Sequence, residues 1–190
     1  MSRVMIGLLC MLLGANLVEA ATVGLFSNQR CTSCNLNIRP GATQGTFFVC
    51  AVGTSSAEFC GGFYSLEFRI GGIPLGWTAT AVPSAASRLA LGDPFGESCT
   101  IAFDPPQAEE CALLYTVTIE PSSPGARATV RARAPLFPAN PDFDCIRAVS
   151  ACRGNVGICV DGSALLINSD ATCSVAVEPT SWAQVKALYE

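Results

Sequence analysis

The side chains with most chemistry to offer in this chain are its cysteines. Of eleven, Cys10 lies in an N-terminal apolar run, and Cys31, Cys34, Cys50, Cys60, Cys99, Cys111, Cys145, Cys152, Cys159 and Cys173 follow it. An even set of ten downstream of an export signal reads as a disulfide framework of up to five bridges. Connectivity stays open at this level. Local spacing favours Cys99 with Cys111 across the mouth of a hairpin, Cys159 with Cys173, and Cys145 with Cys152, which leaves Cys31, Cys34, Cys50 and Cys60 to pair among themselves. Cys31-Thr32-Ser33-Cys34 also has the CxxC spacing of redox and zinc sites. A reactive pair needs its first thiolate at a helix N-terminus, and a structural zinc needs four ligands, commonly a second close pair. Strand-rich surroundings supply neither, so ordinary disulfide use is expected.

Other reaction chemistry finds little purchase. The chain has no histidine, which removes Ser-His-Asp and Cys-His nucleophile systems and every histidine-dependent metal site. Lys186 is the sole lysine and has no serine motif around it; no Gly-x-Ser-x-Gly turn occurs. Two carboxylates suffice for a glycosidase, yet nothing singles out a pair. Asn140-Pro141-Asp142-Phe143-Asp144 alternates oxygen ligands as a calcium loop does, but Cys145 stands where such a loop has its turn glycine and Ala151 where it has its bidentate glutamate. A polar loop is expected there, with no cofactor and no metal. Arg127, Arg131 and Arg133 share one face of the alternating run 126–134, opposite Ala128, Val130 and Ala132. They read as charges guarding an edge or near-edge strand; the alternative is a surface for an anionic polymer or carboxylate. The net charge of −4 argues against nucleic acid, which calls for a concentrated basic surface.

These residues must be positioned by strands. Residues 62–120 hold the clearest pattern: Tyr64, Leu66, Phe68 and Ile70 alternate with Ser65, Glu67 and Arg69, and Leu113, Tyr115, Val117 and Ile119 alternate with Thr116, Thr118 and Glu120. Between them lie Trp77, opening a strand at 77–82, a loop at 84–96 with a turn at Asp93-Pro94, and a strand at 99–103 that forms a hairpin with 111–120 through Asp104-Pro105-Pro106-Gln107. The apolar run 46–52 suggests a central strand. Shorter strands are expected at 22–26, 158–160, 164–168 and 174–177, and 145–152 could equally be a helical turn. Half of the residues are hydrophobic and 14% are charged, which predicts a stable core rather than disorder. The expectation is an all-β fold: a disulfide-stapled antiparallel β-sandwich of about nine or ten strands, with a partly closed barrel as the alternative.

The two ends read differently. In residues 1–20, Arg3, the apolar run 4–14 and Val18-Glu19-Ala20 compose a secretory signal cut before Ala21, and the run is too short for a membrane span. In 179–190, Trp182, Val185 and Leu188 or Tyr189 recur at helical spacing behind a Ser181/Gln184 capping box, predicting a short amphipathic C-terminal helix. It would dock on the sandwich or on a partner. The domain itself is expected to span 21–178.

The order of a Leu-Glu-Phe-Arg-Ile strand, a Gly-Trp segment, a Gly-Asp-Pro turn and a Leu-Leu-Tyr-Thr-Val-Thr-Ile strand resembles bacterial cohesin-like or immunoglobulin-like extracellular sandwiches. The closing Thr-Ser-Trp-Ala-Gln-Val-Lys-Ala-Leu-Tyr is similar to the endings of some uncharacterised bacterial secreted proteins. The resemblance implies an extracellular, non-catalytic interaction module and supplies no functional residues. Two roles follow. One is a secreted binding or adhesion module for a glycan or extracellular protein, using Trp77, Asp93, Arg127, Arg131, Arg133 and Trp182 as its candidate surface. The other is a structural surface or matrix protein that self-assembles; an enzyme with a carboxylate-based site is a distant third. The final compartment and the oligomeric state stay open.

Overall fold

The computed structural model describes residues 21–54, 59–142, 144–152 and 157–173. The expected signal at 1–20, the strand at 174–177 and the helix at 179–190, with Trp182, lie outside them. Twelve strands occur among the described residues, and no helix. They are β1 (Thr22–Phe26), β2 (Asn35–Leu36), β3 (Gly45–Val52), β4 (Phe63–Gly71), β5 (Thr78–Pro83), β6 (Ser87–Gly92), β7 (Cys99–Gln107), β8 (Cys111–Glu120), β9 (Ala128–Arg133), β10 (Ile146–Ser150), β11 (Gly157–Gly162) and β12 (Ala164–Ile167). The expected count of nine or ten is therefore too low. The loop expected at 84–96 contains β6, whose side chains are mostly exposed and so lack the burial-driven alternation that marks a strand in sequence. The 145–152 segment holds a strand, β10.

The strands form two facing layers. One layer runs β1-β3-β8-β5 and the other β6-β7-β4-β10-β11; β11 also pairs β1 in parallel and so joins them. A third ladder, β2-β12-β9, continues from the second half of β4. β3 is central, as its apolar run implies, with β1 on one side and β8 on the other. Pairing is antiparallel apart from β1–β11 and β2–β12. The layers bury one continuous core, to which Phe47, Val49, Leu66, Phe68, Ile70, Ile101, Leu114, Val117 and Ile119 contribute. Phe68 of β4 meets Tyr115 of β8 edge to face across it, with ring centroids 6.1 Å apart, the geometry that the ring quadrupoles favour.

Three departures from the expected pattern matter. Leu66, Phe68 and Ile70 point inward, but Tyr64 is exposed and Phe63 takes the buried place. The β4–β7 register shifts between Phe63 and Ser65, and such an irregularity reverses the facing of residues beyond it. A second shift, between Val49 and Cys50 opposite β8, turns Leu114 inward and sends Leu113 to the outer side. Third, β7 and β8 do not form a hairpin. β7 pairs β4 and β6, whereas β8 pairs β3 and β5, so the short link between them crosses from one layer to the other. The link from β5 to β6 crosses likewise. Asp104-Pro105-Pro106-Gln107, expected as the hairpin turn, instead prolongs β7.

The β9 strand is near the edge rather than at it: it pairs both β4 and β12, and only β12 and the two-residue β2 lie beyond it. Its two faces divide as expected: Val130 and Ala132 are buried, while Arg131 and Arg133 are exposed. Gly162 closes β11 where a Cβ would collide with the Ala132 carbonyl oxygen. Any larger residue would push β11 away from β9.

Candidate functional site

Placement of the cysteines overturns the expected pairing. Disulfides join Cys31 to Cys111, Cys34 to Cys173, Cys60 to Cys152 and Cys145 to Cys159, with Cα separations of 5.3–6.1 Å, inside the usual range. Cys50 and Cys99 are free and buried. Cys99 cannot reach Cys111 because it points into the core from β7, while Cys111 begins β8 on the outer side of the opposite layer. The Cys31–Cys34 pair divides its two partners between β8 and the residues after β12. Burial pushes the Cys99 thiol up to about 12, against the opposing effect of its hydrogen bond with Tyr115; the Tyr115 phenol is pushed up too, again chiefly by burial. Burial alone takes Cys50 up to about 12.

The outer face of β6-β7-β4-β10 carries exposed apolar side chains in register; Leu75, before β5, and Val82, within it, are exposed as well. Leu91 stands opposite Thr100, which stands opposite Glu67, which stands opposite Arg147. Leu89, Ala102, Ser65 and Val149 make the next row. Directly opposed residues in a ladder share a face, so Leu89 and Leu91, 49% and 55% exposed, project from it. The segment after β9 crosses the end of the same face. Leu136 N donates to the Glu97 carbonyl at 2.8 Å, and Ala139 N donates to Glu67 Oε1 at 2.8 Å. The anchored segment presents Leu136 and Phe137, 55% and 69% exposed. Glu67 is itself buried, its other oxygen 4.0 Å from Arg147 Nη1. An acidic side chain on the outer face thus serves to tie this segment down.

The surface candidates from sequence do not converge on one place. Trp77 is half-buried against the core ahead of β5. Asp93 accepts from Phe95 N at 2.9 Å and so shapes the turn after β6. Arg127 pairs with Asp170 at 2.6 Å, both largely exposed, a kind of pair worth little in water. Arg131 and Arg133 line an open groove of about 560 Å³ between β9, β10 and β11, shared with Asp144 and Asp161. Asn140 Oδ1 accepts from Asp142 N at 3.0 Å, a turn-forming use of a residue considered above as a calcium ligand. Leu89, Leu91, Leu136 and Phe137 were missed. The available signal was Leu136-Phe137, two large apolar residues inside a proline-rich loop with no strand to bury them.

No family model matches the sequence, and no curated protein matches it. Solved structures do. The seventh ScaB type I cohesin from Pseudobacteroides cellulosolvens superposes with a TM-score of 0.52 at 10% identity, over 84% of this chain and 97% of that one. A cohesin module from a Clostridium perfringens family 33 glycoside hydrolase gives 0.49 at 9% identity, over 78% and 97%. The fold is therefore a cohesin-like β-sandwich, in agreement with the resemblance read from the 64–120 strands. Among the described residues, no helix is long and apolar enough to cross a membrane.

Proposed function

We propose that this chain is a secreted, non-catalytic extracellular binding or adhesion module that takes a protein partner on the outer face of β6-β7-β4-β10. The observation that carries the reading is the exposure of Leu89 and Leu91 on this face and of Leu136 and Phe137 on the segment anchored across its end, all on a disulfide-braced sandwich. Aliphatic and aromatic side chains presented on a rigid face are what a protein interface buries at its centre. Cohesin-like architecture and four disulfides support an extracellular setting. Glycan recognition is the weaker option, because Trp77 is half-buried against the core.

The test is retention of extracellular proteins from the producing organism on the immobilised mature chain, compared with Leu91→Asp and Phe137→Ser variants whose melting matches wild type. A specific partner whose affinity falls about tenfold or more in either variant supports the reading. A partner bound equally by all three proteins refutes this face as the site. The same face could instead meet a second copy, since β6 is a strand edge open to further pairing. Light scattering across a concentration series separates the two: reversible oligomers abolished by Leu91→Asp would make the protein a self-assembling surface component.

A further inference from the structure

The free thiol of Cys50 does not lie in the main core. Together with Phe26 and Cys31 it forms a second small cluster on the outer side of β1, β3 and β8, packed by Phe48, Val52, Cys111 and Leu113. The lid over this cluster is the turn after β1, in which Asn28 Oδ1 accepts from the amides of Arg30 and Thr32 and Ser27 N donates to Ser33 O at 2.7 Å. Cys31 sits in that turn with a left-handed φ of 57°. The sulfurs of Cys31, Cys50 and Cys111 all lie within 4.8 Å of one another, so a thiol stands in contact range of a disulfide.

We propose that Cys50 is the nucleophile of an intramolecular thiol–disulfide exchange in which it replaces Cys111 as the partner of Cys31. Cys50 gives up its proton, and its thiolate attacks Cys31 Sγ. The Cys31–Cys111 bond breaks as the Cys31–Cys50 bond forms, and Cys111 leaves as a thiolate that takes up a proton. One disulfide and one thiol exist before and after, so no outside oxidant or reductant enters.

The direction of attack follows from the ladder. Cys50 stands opposite Leu113, and Cys111 opposite Val52, so a Cys50–Cys111 bond would run diagonally between paired strands. Cβ atoms in that relation are about 7 Å apart, against the roughly 3.5–4.5 Å that a disulfide spans. Cys31 is free of that constraint because it approaches from the covering turn. The product thiol is also provided for: once Cys111 has taken up a proton it can donate to the Gln29 carbonyl oxygen, which lies 3.2 Å from its Sγ. The exchange trades a fully buried thiol for one at the partly exposed start of β8.

The surroundings set the rate. Side chains packed on Cys50 carry no titratable group apart from the sulfurs; the charges of the flanking segments, Arg30, Glu109 and Glu110, are exposed. Burial holds the thiol at about 12, so the thiolate is scarce near neutrality and its population grows about tenfold per pH unit.

The experiment incubates the oxidised mature chain, natively folded, with iodoacetamide at pH 7.5 and 8.5, then maps disulfides by non-reducing peptide mass spectrometry. Expected is carbamidomethylated Cys111 together with a Cys31–Cys50 peptide, accumulating about tenfold faster at the higher pH. Cys50→Ala should abolish both, and Cys99→Ala, which removes the other free thiol, should leave both intact. A Cys31–Cys111 bridge that persists throughout, label on Cys50 with that bridge unbroken, a Cys50–Cys111 peptide, or loss of exchange in Cys99→Ala would each overturn the proposal.

Discussion

The two peripheral disulfides allow the framework to be tested by arithmetic. Cys60–Cys152 closes a sequence separation of 92 residues and Cys145–Cys159 one of 14. Cys60, Cys152 and Cys159 are exposed and Cys145 is partly so, so replacing either pair with alanine leaves no core cavity. What is lost is mainly the restriction on the unfolded chain. Loop-closure entropy then gives about 4.6 kcal/mol for the long loop and about 3 kcal/mol for the short one. The dependence is logarithmic, so the remaining crosslinks alter the comparison little. Cys60→Ala/Cys152→Ala should therefore be less stable than Cys145→Ala/Cys159→Ala by about 1.6 kcal/mol. With a urea m-value near 2 kcal/mol/M, the two midpoints should differ by about 0.8 M. Equilibrium urea unfolding of both double variants, followed by tryptophan fluorescence, provides the measurement. Equal midpoints, or a lower midpoint for Cys145→Ala/Cys159→Ala, would refute the assigned pairing or the entropic account of it.

Further outcomes can be read from other residues. Phe63→Ala should destabilise the fold by about 3–5 kcal/mol, whereas Tyr64→Ala should change it by less than about 0.5 kcal/mol; chemical denaturation of the pair tests the irregularity in β4. Glu67→Ala removes the acceptor for Ala139 N and the partner of Arg147. It should lower stability by on the order of 2 kcal/mol and speed hydrogen exchange at the Ala139 amide. Burial raises both free thiols to about 12 in the folded chain, so above the unfolded thiol value of about 8.5 the unfolded chain loses protons that the folded chain keeps. Stability is then complete below about pH 8.5 and declines as pH rises toward 12, by up to about 1.4 kcal/mol per pH unit for each thiol. Unfolding of wild type and Cys50→Ala/Cys99→Ala from pH 7 to 10 should show the steeper decline in wild type.

Strand identity was legible wherever one face is buried. Leu66, Phe68 and Ile70, or Val117 and Ile119, alternate because each neighbour faces the opposite way across a pleat. β6 escaped because both of its faces meet solvent, which removes the pressure for alternation at Arg88, Leu89 and Leu91. The exposed apolar residues after β9 escaped for a related reason. Leu136 and Phe137 acquire meaning only when Glu97 and Glu67 anchor their segment across the end of the β6-β7-β4-β10 face.

Composition and local pattern by themselves determined that this is a disulfide-braced, strand-built domain, because apolar content, alternation and cysteine number are properties of the chain. Tertiary structure decided which cysteines meet, that β7 and β8 lie in opposite layers, and that Cys50 rests against a disulfide. A link of a few residues can close a hairpin or cross a sandwich, and the difference lies in which strands offer a partner. Disulfide pairing likewise depends on distances of a few ångströms between residues remote in sequence, and folding alone sets those distances.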